Sequence, residues 1–313
     1  MNIAYIRATP EDLAAARTIL QDAAYARAYA GPQTLQAMRE GTDSLLMHSA
    51  VRQPPADVRV VPRQIAGVPC EIIQTDGADE QHALLYVHGG AFIRGSLALG
   101  RANAALLAQL TGIQVIAIGY RQAPEHPYPA ASNDVRQVYE ALLASGLPPQ
   151  AMAVVGESSG GCLALGLAVD LHAHALAMPA GIAVLSPMTD LRLPGASWWY
   201  NHDKDVASRE IGQKAISLYI DPSRIQEPLA SPVGFHFSGC CPLFLGIGSH
   251  ETMLSDTEYL ARRADAVGVS VDLRIYEAMP HGFTRLKAPI AMQALRDTAD
   301  WCCSVLQRQA QSH

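Results

Sequence analysis

From residue 58 onward the chain alternates short apolar runs with stretches of helix length. The runs occupy 58–61, 68–75, 83–87, 115–120, 151–155, 182–185, 243–247 and 271–276. Each is too short for a helix and is bounded by turn residues, so each predicts a strand buried in the interior. Helix-length stretches lie between them at 99–110, 132–145, 159–175, 255–267 and 288–308. Strand alternating with helix predicts an α/β fold: a mostly parallel central sheet flanked by helices on both faces.

Two intervals break this rhythm. Residues 187–240 separate two core strands by more than a crossover needs, and they hold Trp198, Trp199, Tyr200 and an expected helix from about Ser208 to Tyr219. This reads as an insertion with its own packing, and the three aromatic residues fit that packing better than substrate contact. At the N-terminus, Thr9-Pro10-Glu11-Asp12 supplies a capping residue, a proline at the first helical position and an acid three after the cap. An Ala-rich helix is expected from there to about Ala30, and a second around 32–48, with Pro54 and Pro55 ending helical character.

Composition excludes several classes. The 313 residues are 49% hydrophobic and carry a net charge of −6, enough apolar mass for a large core and no basic excess for neutralising phosphates, so nucleic acid is not an expected partner. The early charges Arg7, Glu11 and Asp12 interrupt any signal peptide, and no apolar run is long enough to span a membrane. The six cysteines, including the adjacent pairs Cys240-Cys241 and Cys302-Cys303, form neither a Cys-x-x-Cys site nor a disulfide framework. A cytoplasmic protein with no metal and no cofactor is expected, and homodimer formation is left open.

The sharpest chemical signal is Gly156-Glu157-Ser158-Ser159-Gly160-Gly161. Gly-x-Ser-x-Gly between an apolar strand and an Ala/Leu-rich helix sets a serine on a tight turn, its hydroxyl clear of the sheet. A serine hydroxyl needs a base. His281, in Met279-Pro280-His281-Gly282-Phe283, follows the last strand and precedes the final helix, where it can reach back across the strand ends. His88, His126 and His250 occupy loops at the same edge and read as orienting or lining residues. The imidazole in turn needs a carboxylate. Glu251 and Asp256 both follow the strand at 243–247. Ser255-x-x-Glu258 reads as a capping box, which gives Asp256 a structural role and favours Glu251; Asp205 is a further option. Attack on a carbonyl puts negative charge on its oxygen, and aimed N–H groups must receive it. The His88-Gly89-Gly90-Ala91 turn and the amide of Ser159 can supply them.

These segments bring the chain to a known family. Tyr86-Val87-His88-Gly89-Gly90-Ala91-Phe92, the Tyr120 to Ala131 stretch with Pro124-Glu125-His126-Pro127, the serine turn, Ala230-Ser231-Pro232, Gly248-Ser249-His250-Glu251 and the His281 segment occur in one order over roughly 80–305. The chain resembles the hormone-sensitive-lipase-like branch of the α/β-hydrolases, bacterial family IV. The resemblance implies Ser158 as nucleophile, His281 as base and donors to the oxyanion from Gly89, Gly90, Ala91 and Ser159. It implies a cap from residues 1–50 and about 187–240 on a catalytic domain of 51–313. It also implies cofactor-free hydrolysis of short- to medium-chain esters, with a small-molecule ester as substrate. Ala91 stands where glycine is common, Glu157-Ser158-Ser159 where Asp-Ser-Ala is usual, and the Asp-Pro-Leu motif that often holds the acid is missing. An amidase or formamidase on this scaffold, or a binding protein with an idle site, are the competing readings. The segment from Arg121 to Ala131 reads as a rigid loop held by Arg121, Glu125 and Asp134.

Overall fold

The computed structural model describes residues 1–22, 34–48 and 50–310, with side chains to residue 306. Nine strands form one sheet: β1 Asn2–Ile6, β2 Arg59–Ile65, β3 Val68–Gln74, β4 Asp79–Val87, β5 Ile113–Ile118, β6 Met152–Glu157, β7 Gly181–Leu185, β8 Leu243–Gly248 and β9 Val271–Tyr276. Their spatial order is β1-β9-β8-β7-β6-β4-β5-β3-β2. β3 pairs antiparallel with both β2 and β5, and all other pairings are parallel. The longer helices are α1 Pro10–Gln21, α2 Leu35–Ser44, α3 Leu97–Thr111, α4 Ala130–Ala144 and α5 Ser159–Ala173. The set continues with the short α6 Ser197–Tyr200, then α7 Arg209–Tyr219, α8 Leu254–Asp265 and α9 Pro289–Ala310.

The period of two along each strand sorts the core into two layers. On β4, Leu84 and Tyr86 face α3 and α9, among Leu107, Leu295 and Ala299. Leu85 and Val87 face α4, α5, α7 and α8, among Val138, Leu167, Ile216 and Leu260. β6, β7 and β8 are buried at every position, which explains their unbroken apolar character.

β1 is not buried in this way. It lies at the sheet edge, and within its short apolar run Ile3-Ala4-Tyr5-Ile6 both Ile3 and Tyr5 are exposed. Its register on β9 runs from Asn2 opposite Asp272 to Ile6 opposite Tyr276. The N-terminal segment therefore contributes a strand to the sheet as well as helices. The Thr9–Asp12 capping box forms, and α1 stops at Asp22, whose backbone is extended; the rest of the stretch expected to reach Ala30 lies outside the described residues from 23 onward. α2 and a single 3₁₀ turn, Leu45–Met47, fill the expected second helix from residue 35.

Two local expectations are corrected. α8 begins at Leu254, so Met253 takes the cap position and no side chain caps the helix; Ser255 lies inside the first turn with its hydroxyl on Ser197. In the loop after β5, Arg121 clasps Asp134 as expected, donating from Nε and Nη2, but Glu125 turns away to Arg39 of α2 at 2.7 Å. Arg39 also donates to Ile93 O at 2.8 Å and Ala123 O at 3.1 Å, tying α2 to the loops after β4 and β5.

Candidate active site

Ser158 sits between β6 and α5, at the C-terminal edge of the sheet's centre. Its backbone is left-handed, φ 53° and ψ −120°, a conformation that costs a non-glycine residue about 1–3 kcal/mol. The turn closes because Gly160 has no side chain: a Cβ there would lie 2.1 Å from Val87 O and 2.4 Å from His88 O, both fixed backbone atoms. Ser158 N–H donates to Leu185 O, and Met188 N–H donates to Ser158 O, so the strained residue is held on both sides.

The loops after β8 and β9 bring two more candidates to the same point. His281 Nε2 lies 2.9 Å from Ser158 Oγ, and His281 Nδ1 lies 2.9 Å from Glu251 Oε2. Glu251 is wholly buried. Its other oxygen, Oε1, accepts from Ser186 Oγ at 2.7 Å and from Gly248 N at 2.7 Å. Ser186 itself has φ 50°, a second strained residue whose hydroxyl serves this carboxylate. Asp256 is not part of this chain of bonds: Trp198 Nε1 donates to its Oδ2 at 2.7 Å, and burial pushes its carboxyl up to about 6. Asp205 stands behind the histidine. It accepts from His281 N at 2.6 Å and Thr252 N at 2.7 Å, and burial raises its carboxyl to about 6. It thus fixes the backbone of the histidine loop without touching the ring nitrogens.

The turn after β4 forms the facing wall. Gly90 has φ 137°, and a Cβ on it would lie 1.8 Å from Arg94 O. Ala91 follows with φ 53°. Gly90 and Ala91 line a cavity of about 40 Å³ together with Ser158 and His281. Among the described residues no acceptor takes the amides of Gly90, Ala91 or Ser159. Gly89 lies beneath, where an added Cβ would come within 3.1 Å of Ser158 Cβ. The other walls include Trp198, Ile211, Gly212 and Met253, and Thr42 of α2.

None of the other described histidines lines this cavity. The buried His88 ring stacks on Tyr120 with centroids 4.4 Å apart and donates from Nδ1 to Gly89 O at 2.8 Å. Burial lowers it to about 4, so it is a neutral brace under the glycine turn. His126 is exposed, and His250 is partly buried behind the loop. Trp198 packs inside and reaches the cavity, whereas Trp199 and Tyr200 are exposed, which corrects the view of all three as packing residues. Two polar residues had no sequence signal, because their partners are distant in the chain: Asn103 and Arg285. Asn103 Nδ2 donates to Glu157 Oε1 at 2.5 Å, and Arg285 Nη2 meets Glu157 Oε2 at 3.4 Å, which anchors the residue preceding Ser158. Among the described residues no group of three or more His, Cys, Asp or Glu could hold a metal ion.

Comparison with known proteins agrees with this architecture. Residues 84–285 match the family model described as alpha/beta hydrolase fold. An esterase of Acinetobacter venetianus is 36% identical over 79% of this chain and 83% of its own length. An ethyl acetate hydrolase of Pseudomonas putida is 33% identical over 68% of this chain and 69% of its own. A crystal structure of an esterase from the bacterial hormone-sensitive lipase family superposes with a TM-score of 0.89 at 30% identity, covering 96% of this chain and 99% of that one. A sheet of this order, a strained serine turn after its central strand and these relatives lead to one assignment: the chain belongs to the α/β-hydrolase fold family, in the hormone-sensitive-lipase-like branch of bacterial esterases.

Proposed function

We propose that the chain is a serine carboxylesterase acting on short- to medium-chain esters, with Ser158 as nucleophile, His281 as general base and Glu251 as its carboxylate. The observation that carries this reading is the continuous chain of bonds from Ser158 Oγ through His281 to Glu251, set beside a cavity lined by amides without acceptors. Ser158 Oγ attacks the ester carbonyl as His281 Nε2 takes its proton. Glu251 holds the Nδ1 proton and stabilises the imidazolium. The amides of Gly90, Ala91 and Ser159, with Gly89 shaping the turn, receive the charge on the carbonyl oxygen. His281 then passes the proton to the departing alcohol, leaving an acyl-enzyme. Water repeats the sequence, releases the acid and restores the serine.

The cavity of about 40 Å³ suits a small acyl group, and the ethyl acetate hydrolase among the relatives supports the same end of the range. Residues 1–50 and 187–240 act as a cap in this reading, since Thr42, Trp198 and Ile211 close the cavity from above the strand ends. A cytoplasmic setting belongs to the same proposal: all six cysteines are free thiols, the state a reducing compartment maintains. The test is hydrolysis of p-nitrophenyl acetate and butyrate by wild type and Ser158→Ala. The wild type turns both over and the variant loses at least about 10³-fold; an inactive wild type, or a variant that keeps its rate, overturns the reading.

A further inference from the structure

We propose that Trp198 is the wall that sets how long a hydrocarbon arm of the ester the site accepts, and that Asp256 is the residue that holds this wall in place. The proposal rests on the carboxylesterase reading and adds the residue behind its chain-length limit. Trp198 lines the cavity with Ser158 and His281 and is only 2% exposed. The longer aliphatic side chains around the same cavity are Leu99, Met188, Ile211 and Met253. These are kept by packing, and an unbranched methionine changes rotamer readily to make room. The indole is kept by a directed bond: its Nε1 donates to Asp256 Oδ2 at 2.7 Å.

Both ends of that bond are anchored. On one side of Trp198, Ser197 N–H donates to Ser255 Oγ at 2.7 Å and Ser197 Oγ donates to Thr252 O at 2.5 Å. On the other, Asn201 Nδ2 donates to Ser249 O and to Glu251 O, each at 3.0 Å. The indole is thereby set on the loop that carries Glu251, at a fixed place relative to the reacting groups. Asp256 is seated against Gly195, where an added Cβ would lie 2.5 Å from its Oδ1. The far edge of the indole lies against α7, and a Cβ on Gly212 would sit 3.8 Å from Trp198 Cη2. The ring therefore spans from the start of α8 to α7 and closes the cavity between them.

Asp256 makes no bond to His281, yet it is a carboxyl only 5% exposed, and burial pushes it up to about 6. A buried carboxyl is costly to keep unless it is hydrogen-bonded, and a buried indole N–H needs an acceptor. Each group meets the other's need, and the bond fixes a ring that packing alone would leave free to turn. An alkyl arm that reaches the ring meets a surface that cannot step aside. The arm can be the acyl chain or the alcohol, and the two are separated by experiment.

The experiment measures kcat/KM over two series: p-nitrophenyl acetate, butyrate, hexanoate and octanoate for the acyl arm, and ethyl, butyl and hexyl acetate, by titration of released acid, for the alcohol arm. Each methylene seated in an apolar pocket is worth about fourfold. In Trp198→Ala the ratio of the longest to the shortest ester is expected to rise at least about tenfold in one of the series. Asp256→Leu nearly keeps the size of the side chain and removes the acceptor, so the ring is released and the same ratio rises at least about threefold. Trp198→Leu is run beside Trp198→Ala as a milder truncation. Each ratio is taken within one preparation, so partial unfolding of a variant cancels. Ratios that rise by less than about twofold in both series for both Trp198 variants overturn the proposal, as does an Asp256→Leu ratio that rises by less than about twofold, while the carboxylesterase reading stands. A wild type that turns over none of the esters overturns both.

Discussion

Replacing Glu251 with glutamine separates the two acids that follow β8. The carboxylate is surrounded by donors of fixed direction: Ser186 Oγ and Gly248 N on Oε1, His281 Nδ1 on Oε2. A carboxamide offers one oxygen and one NH₂. Turning the NH₂ toward Gly248 N would oppose two buried donors, at about 1–3 kcal/mol. The amide oxygen therefore takes the Oε1 place, and the NH₂ faces His281 Nδ1. Nδ1 must then accept, its proton moves to Nε2, and Nε2 donates to Ser158 Oγ instead of accepting from it. The base is lost with the geometry intact. A tautomer locked this way costs about 10⁴ in rate, or about 5 kcal/mol of transition-state stabilisation. Asp256→Asn is the control. An asparagine oxygen can still accept from Trp198 Nε1, and the side chain makes no bond to His281, so kcat/KM is expected within roughly threefold of wild type. Both variants are assayed on p-nitrophenyl acetate, with thermal melting to show that each is folded. A Glu251→Gln enzyme that keeps a tenth of its rate refutes the reasoning, as does a larger loss in Asp256→Asn.

Two further outcomes follow from the supports of the site. His88 is held neutral at about 4 by burial, below its unfolded value near 6.5, so the unfolded chain binds a proton that the folded one refuses as pH falls from 6.5 towards 4. Relative to His88→Asn, wild type should lose about 2 kcal/mol of stability between pH 7 and pH 5 in urea titrations; a constant difference would show that this ring is not the titrating group. Arg39 joins α2 to the loops after β4 and β5 through two carbonyls, while its partner Glu125 is half-exposed. Arg39→Met should cost about 1–2 kcal/mol in the same titrations and Glu125→Gln clearly less, because the carbonyls lose a partly buried donor while the exposed ion pair is screened by water; equal losses would place the tether in the ion pair.

Much of this was legible in the residue order, for reasons that differ by element. β6, β7 and β8 are buried on both faces, so their apolar runs announce them. The serine turn is equally plain, because sterics allow only glycine at 160 and burial allows only an apolar strand before it. Candidates for base and acid could be narrowed by position after the strands, but Glu251, in the loop after β8, and Asp256, in the first turn of α8, lie only five positions apart. The direction of their side chains tells them apart, one toward His281 and the other toward Trp198. β1 escaped because its short apolar run, Ile3 to Ile6, leads straight into the helix start at Thr9 and its partner β9 lies far along the sequence. Arg39 and Arg285 escaped, and Asp205 was read only as a further candidate acid, because a charged residue's role depends on a partner far along the chain: Arg39 meets Glu125 across 86 positions, and Asp205 meets the His281 backbone across 76.

The pairing of β1 with β9 also has a consequence for how the chain is made. The first strand emerges from the ribosome with the exposed pattern of Asn2–Ile6, and its partner among the described strands begins at Val271. At roughly 5–20 residues per second, β1 waits about 15–50 s for that partner. The pair that closes this edge also fixes the approach to His281, since Glu277 N–H donates to Ile6 O at 2.9 Å and Ala8 N–H donates to Glu277 Oε2 at 3.0 Å. The final seam of the sheet and the segment leading to the histidine therefore set together, after synthesis has passed β9, and an unfinished chain has neither.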